Sequence, residues 1–438
     1  MALPDTETVW PLSGAARQAA PSAPAVVAVA DLRATNAAAV LAVVRSADPH
    51  PRLSELARAT SLSRPTVEAI AEELADRGLI EVASAPSARG QRSPGRPARR
   101  FRFRPHAGFV VGVDVRPRSV TACLADLDGE PVAVRRRTVR ADLTGPARAR
   151  AVTATVQDAM AQAGAGPERV WAATVGTPGL VDRANARVRQ ADNLRSWADT
   201  DIAGILRDLL HCPVAVENDA NLAALGEQWR GVGRAPVAGE APAESPEPPA
   251  AGTMVDEMVF VLLGERLGAG VITGGRLLRG HHGAAGEIGF IRFPGPSGAG
   301  GSTVPHGSGG PPDAPGLEPL PETVVVAAAA GEPDAVAAVE SYGRRLAEGV
   351  APVLLALDPA LVVIGTGQFP TPETAPAADL LLAAARRHAR TLLVDPPHWQ
   401  LSSLGDDGVL TGAVRFALSS VEVVLRTRPT SLVARTRN

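Results

Sequence analysis

Residues 53 to 80 constrain this chain more than any other stretch. Leu53, Leu56 and Ala57 form one apolar stripe, and Val67, Ile70 and Leu74 form a second at helical spacing. Only Ser61-Leu62-Ser63 lies between the helices, which leaves room for a turn and nothing else. Ser63 is placed to N-cap the second helix, and Pro65 is tolerated in its first turn because no partner exists there for an N–H. The spacing predicts a helix-turn-helix whose second helix lies in a DNA major groove. A helical hairpin inside an ordinary core is the alternative reading. Ser61 occupies the turn position that often prefers glycine.

The residues beyond the second helix favour DNA binding. Gly78 stops that helix, Leu79 to Val82 start a short strand, and Phe101-Arg102-Phe103 supplies its partner. A basic loop around Ser93-Pro94-Gly95-Arg96-Pro97 joins the two, which is the order of a winged helix. Seven arginines and no acid lie between Arg89 and Arg104, and residues 27–104 carry 13 Arg against 8 Asp plus Glu. The head is therefore +5 and the rest of the chain −7, within a total of −2. A basic patch on an acidic protein is the footprint of nucleic-acid binding, and arginines in an extended arm can enter a minor groove. The chain has no lysine, so the choice of Arg says nothing about a site, while its clustering does. Ser63, Arg64, Thr66 and Glu68 at the recognition-helix start, and Arg92, Arg96 and Arg99 in the wing, are the expected DNA contacts.

At 438 residues the chain has room for two or three domains. No run of 18 uninterrupted apolar residues predicts a membrane span, and the N-terminus lacks the pattern of a signal peptide, so a cytoplasmic protein is expected. Cys123 and Cys212 have no metal or redox spacing. Residues 1–26 read as a disordered tail, 27–104 as the winged helix-turn-helix, and 105–438 as an α/β body. Arg33 to Arg45 supplies a first helix in the head. The acidic stretch 236–252 and the Gly/Pro/Ser stretch 294–315 read as mobile loops.

In the body, strands run into glycine turns and helices. Phe109 to Val115, Val170 to Val175, Val214 to Val216, Met258 to Leu263 and Leu361 to Ile364 are the clearest strands. Val216-Glu217-Asn218-Asp219-Ala220-Asn221, then Gly268-Ala269-Gly270-Val271-Ile272, Arg279-Gly280 and Gly283-Ala284-Ala285-Gly286-Glu287-Ile288-Gly289 follow in order. Asp192-Asn193-Leu194 with Trp197, Pro178-Gly179 and Asp358 to Gly365 add to them. This ordered series resembles the ROK-family transcriptional regulators. The resemblance implies a winged-helix head fused to a two-lobed sugar-kinase-like body of the actin/hexokinase fold.

Kinases of the family have Gly-Gly-Thr after the first-strand aspartate. Here Asp114 is followed by Val115-Arg116-Pro117-Arg118-Ser119, which removes a donor and puts bulk where backbone would approach phosphate. In the second phosphate loop Glu265 adds an anion, and a like-charge pair at about 4 Å costs roughly 4 kcal/mol at an effective dielectric near 20. Both changes predict a catalytically silent body. The family's structural zinc needs a His after Gly-Glu-Ile-Gly and three downstream cysteines; here Phe290 follows Gly289, no Cys follows Cys212, and His306 alone cannot hold zinc. No metal and no cofactor are expected.

The resemblance implies that Asn218, Asp219 and Glu287 face sugar hydroxyls, with Asp219 at the position of the kinase base and Asn193 in the same cleft. Planar amide and carboxylate acceptors suit vicinal hydroxyls. The alternatives are an N-capping role for Asp219 and a buried hairpin partner for Glu287. Phe290, which offers no hydrogen bond where the family has His, is expected to favour a ligand with an apolar face or a deoxy position there. The expectation is a DNA-binding repressor that dimerises, as a homodimer or a dimer of dimers, reads a pseudo-palindromic operator and senses a sugar. A sugar kinase with an appended head, or an effector-independent regulator with a scaffold body, are the rivals.

Overall fold

The computed structural model describes residues 29–83, 99–182, 184–234, 254–264, 267–291, 293–294, 317–369 and 371–432. The expectations for residues 1–26, 236–252 and 295–315, and those for Arg92, Arg96, Glu265 and His306, lie outside the described residues.

The head contains α1 (Val29–Ser46), α2 (Leu53–Thr60), α3 (Arg64–Asp76) and the hairpin β1 (Ile80–Ala83) with β2 (Arg100–Phe103). The strands are antiparallel, with Ile80 opposite Phe103 and Ala83 opposite Arg100. The first helix starts four residues before the predicted Arg33. Both predicted stripes turn inward: Leu56, Val67, Ile70 and Leu74 are buried against Val40, Leu41 and Val44 of α1. Ser61 adopts the left-handed turn conformation at φ 57°, so the geometry that favours glycine is kept without one. Gly78, at φ 74°, ends the recognition helix as predicted.

The first lobe of the body runs β3 (Phe109–Val115), β4 (Ser119–Ala125), β5 (Pro131–Thr138), α4 (Gly145–Ala163), β6 (Val170–Thr177), β7 (Leu180–Asp182), β8 (Arg187–Gln190), α5 (Ile202–Leu210), β9 (Val214–Asn218) and α6 (Asp219–Arg230). The second runs β10 (Met258–Leu263), β11 (Leu267–Thr273), β12 (Arg276–Leu278), α7 (Glu322–Ala329), α8 (Pro333–Leu357), β13 (Leu361–Ile364), α9 (Ala375–Leu392) and β14 (His398–Leu401), after which α10 (Gly408–Thr427) returns to pack on β3 and β6 of the first lobe. The sheets are ordered β5-β4-β3-β6-β9 and β12-β11-β10-β13-β14. Each joins an antiparallel meander to two parallel strands, so one topology is used twice. Every residue of β3 is buried, as a near-continuous apolar run requires when both faces of a sheet are covered.

Helix α10 ties the molecule together. A Cβ on Gly412 would overlap the Leu222 carbonyl of α6, and one on Gly226 would overlap the Gly408 carbonyl, so the two helices cross with backbones touching. The span Gly405–Thr427 has a mean hydropathy of 1.5 and is long and apolar enough to cross a membrane, a feature the uninterrupted-run criterion missed. Here it is a core helix: Val414, Leu418 and Val421 share one hydrophobic cluster with Val40, Leu41 and Val44 of the head. At the end of α1, Arg45 donates to the Leu127 carbonyl at 3.3 Å, lies 3.5 Å from the Asp128 carboxylate and stacks over Phe103. Head and body are therefore continuous in packing.

Candidate nucleic-acid interface and ligand cleft

The start of α3 is fixed by its cap. Ser63 has extended backbone, and its Oγ accepts from the Thr66 N–H at 3.3 Å and lies 2.7 Å from the Thr66 hydroxyl. The two hydroxyls thus serve the helix start first, while Arg64 and Glu68 stand exposed on its outer face. Glu73 binds Arg33 at 2.7 Å and docks α3 on α1. In the wing, Arg99 is exposed. The other described wing arginines are internally engaged: Arg102 and Arg104 pair with Glu81, at 2.5 and 3.5 Å, and Arg100 with Glu55 at 3.7 Å. Part of the basic patch legible in the sequence therefore balances the head's own acids.

A cavity of about 420 Å³ lies between the lobes, where β3, β9 and β10 run out into loops. Asn193, Asn218, Asp219 and Glu287 all line it, so the four predicted ligand contacts come together. The N-cap of α6 is Asn218 and not Asp219: its Oδ1 accepts from the Asn221 N–H at 3.1 Å, and its amide donates to the Gly179 carbonyl at 3.1 Å. Asp219 accepts from the Ala220 N–H with one oxygen, which leaves the other oriented by the helix start. Burial pushes the Asp219 carboxyl up to about 6; the Ala220 N–H opposes the shift, and the Asp114 and Glu287 charges add to it. Phe290 departs from expectation. It is 40% exposed and is not among the cavity-lining residues, because the short helical turn Ile288–Phe290 directs Ile288 inward instead.

In the sequence Arg116 stands out only for the glycine it replaces. In the structure its guanidinium binds Asp114 at 2.7 Å, the Asp406 carboxylate at 2.9 Å and the Asp406 carbonyl at 2.6 Å. It thereby joins the end of β3 to the loop that starts α10. Burial raises the Asp114 carboxyl, and Arg116 pulls it back. Behind the loop, the fully buried Arg148 donates to the carbonyls of Arg116 at 2.7 Å and Pro117 at 3.1 Å, with burial holding its guanidinium below the ordinary value. The buried Glu227 accepts from Ser402 Oγ at 2.5 Å, Val232 N at 3.0 Å and Leu404 N at 3.1 Å, which sets the loop leading to Gly405 and Asp406. The one signal for these residues is a charged side chain among apolar neighbours, and its partner is not readable from sequence. Chemically the cleft offers amide and carboxylate acceptors for a polyhydroxyl ligand. Beside them is a loop held closed by an arginine.

The model of the ROK family matches residues 110–235 and 243–309, and that of the IclR helix-turn-helix domain matches residues 34–83. A xylose repressor of Caldicellulosiruptor bescii is 23% identical over 237 residues, which are 54% of this chain and 53% of the repressor. A glucokinase of Streptomyces coelicolor is 29% identical over 186 residues, 42% of this chain and 50% of the kinase. The chain thus spans about half the length of curated relatives it matches. Among solved structures, a ROK family transcriptional regulator described as a homologue of the E. coli MLC protein superposes with a TM-score of 0.65 at 20% identity, covering 91% of this chain and all of that one. A ROK hexokinase from Thermus thermophilus superposes with a TM-score of 0.53 at 26% identity, covering 72% of this chain and 99% of the hexokinase. The two-lobed actin/hexokinase-like body and the helix-turn-helix head are both present: residues 110–235 and 243–309 match the ROK family, behind an IclR-type helix-turn-helix domain at residues 34–83.

Proposed function

We propose that this protein is a DNA-binding transcriptional regulator, a repressor, in which the head (27–104) reads operator DNA and the body (105–438) dimerises and senses a sugar or sugar derivative. The observation that carries the reading is α3, an N-capped helix with a free outer face, packed through α1 onto a body whose cleft gathers Asn193, Asn218, Asp219 and Glu287. Two heads on a two-fold dimer would read a pseudo-palindrome. The repressor relatives support this, and a regulator of this kind works in the cytoplasm.

Kinase activity is the second reading, favoured by Asp219 and by the glucokinase relatives. Against it stand Pro117, which removes a backbone donor, the bulk of Arg116 in place of a glycine, and the bonds of Arg116 to Asp114 and Asp406, which fill the approach a phosphate would use. Selection from a randomised duplex pool with the full-length protein tests the first reading, and a two-fold symmetric motif is expected. No enrichment over nonspecific competitor DNA refutes it. A coupled ATP-consumption assay over hexoses, pentoses and N-acetylhexosamines tests the second. Turnover that disappears in Asp219→Asn would establish a kinase.

A further inference from the structure

The outer face of α3 carries an unusual charge pattern for a helix that enters DNA. Arg64, Glu68, Glu72 and Asp76 are all exposed, and their spacing of four residues places them on one stripe. The stripe holds one cation and three anions. Among the described residues none of the four makes an ion pair, and Arg64 and Glu68 do not pair with each other. No internal role explains these side chains.

A helix lying along the groove over its whole length would bring Glu72 and Asp76 against phosphates. At about 4 Å each such approach costs roughly 4 kcal/mol at an effective dielectric near 20. The helix therefore enters with its N-terminal end, where the dipole and Arg64 favour the polyanion, and tilts Glu72 and Asp76 away. That leaves Arg64 and, one turn on, Glu68 facing base edges, behind a helix start fixed by the bonds between Ser63 and Thr66. A carboxylate in a major groove can only accept, and the donors there are the amines of cytosine and adenine. Adenine also presents the N7 acceptor beside its amine, which suits an amide but repels a second carboxylate oxygen. Cytosine presents its amine without that neighbour.

Resting on the regulator reading, we propose that Glu68 is a specificity-determining residue that accepts from the N4 amine of a cytosine, while Arg64 reads a guanine on the O6/N7 edge. Four residues along a helix advance about 6 Å, and base pairs are spaced about 3.4 Å apart. The two G·C pairs in each half-site therefore lie one or two steps apart.

The test compares motifs enriched from a randomised duplex pool by full-length wild type, Glu68→Ala, Glu68→Gln and Arg64→Ala. Wild type is expected to select cytosine at one position per half-site. Glu68→Ala should lower that preference at least about tenfold, with the rest of the motif and the salt dependence unchanged. Glu68→Gln should shift the same position towards adenine, because an amide can donate to N7 and accept from the amine. Arg64→Ala should relax a guanine one or two steps away. A wild-type motif recovered unchanged from both Glu68 variants overturns this assignment and leaves the regulator reading standing. A wild type that enriches no motif overturns both.

Discussion

Replacing Asp219 by Asn should stabilise the protein, and by an amount that depends on pH. The carboxyl ionises in the fold at about 6, against an ordinary 3.8, because it is desolvated and faces Asp114 and Glu287. Below the ordinary value both folded and unfolded chains hold the proton, so there is no penalty. As pH rises the unfolded chain loses its proton first, and the penalty grows until the folded carboxyl ionises too. With the folded carboxyl at about 6 against 3.8, the cost is about 3 kcal/mol at pH 8 and about 1.6 kcal/mol at pH 5. Asn carries no charge at either pH, and its carbonyl oxygen can keep the bond from the Ala220 N–H. Guanidinium unfolding of wild type and Asp219→Asn at pH 5 and pH 8 measures the difference. The gain should be larger at pH 8. A loss of stability at pH 8, or the same difference at both values, would refute the electrostatic account of the cleft. The gain would also indicate that the charge is kept for binding at the cost of stability.

Three other perturbations probe the rest of the molecule. Gly412→Ala should cost about 3 kcal/mol or more in denaturant unfolding, since the new methyl meets the Leu222 carbonyl and nothing there is flexible. Glu227→Ala should cost about 3 kcal/mol, because the Val232 and Leu404 N–H groups lose a buried acceptor, while Glu227→Gln should cost clearly less in the same melt. Glu287→Ala should abolish any sugar-dependent change in DNA affinity while leaving unliganded affinity intact, as read by fluorescence anisotropy across a sugar panel. A response equal to that of wild type would remove the cleft from the sensing role.

The head was legible in the sequence because its signals are local. Stripes of period 3.6, a capping serine, a proline in the first turn and Gly78 each act within a few residues, and the structure places α2, α3, β1 and β2 where they predict. The cleft was legible in a different way, through an ordered series of motifs that brings Asn193, Asn218, Asp219 and Glu287 to one cavity. Long-range pairing was not legible. Arg116 lies 290 residues from Asp406, and Glu227 lies 175 residues from Ser402, so neither bond has a local signature. Phe290 shows the same limit: its position in the motif was read correctly, but the turn Ile288–Phe290 decides which side chain points inward. The wing arginines also read as freer than they are, since Glu55 and Glu81 approach them only once β1 and β2 pair.

The most direct measurement of the central claim is the affinity of the full-length protein for its selected duplex and for a scrambled duplex of equal length and composition, across 50 to 200 mM salt. A sequence-specific regulator should prefer the selected duplex by about 10³-fold or more, with affinity for both falling steeply as salt rises. Equal affinity for the two duplexes over that range would contradict it.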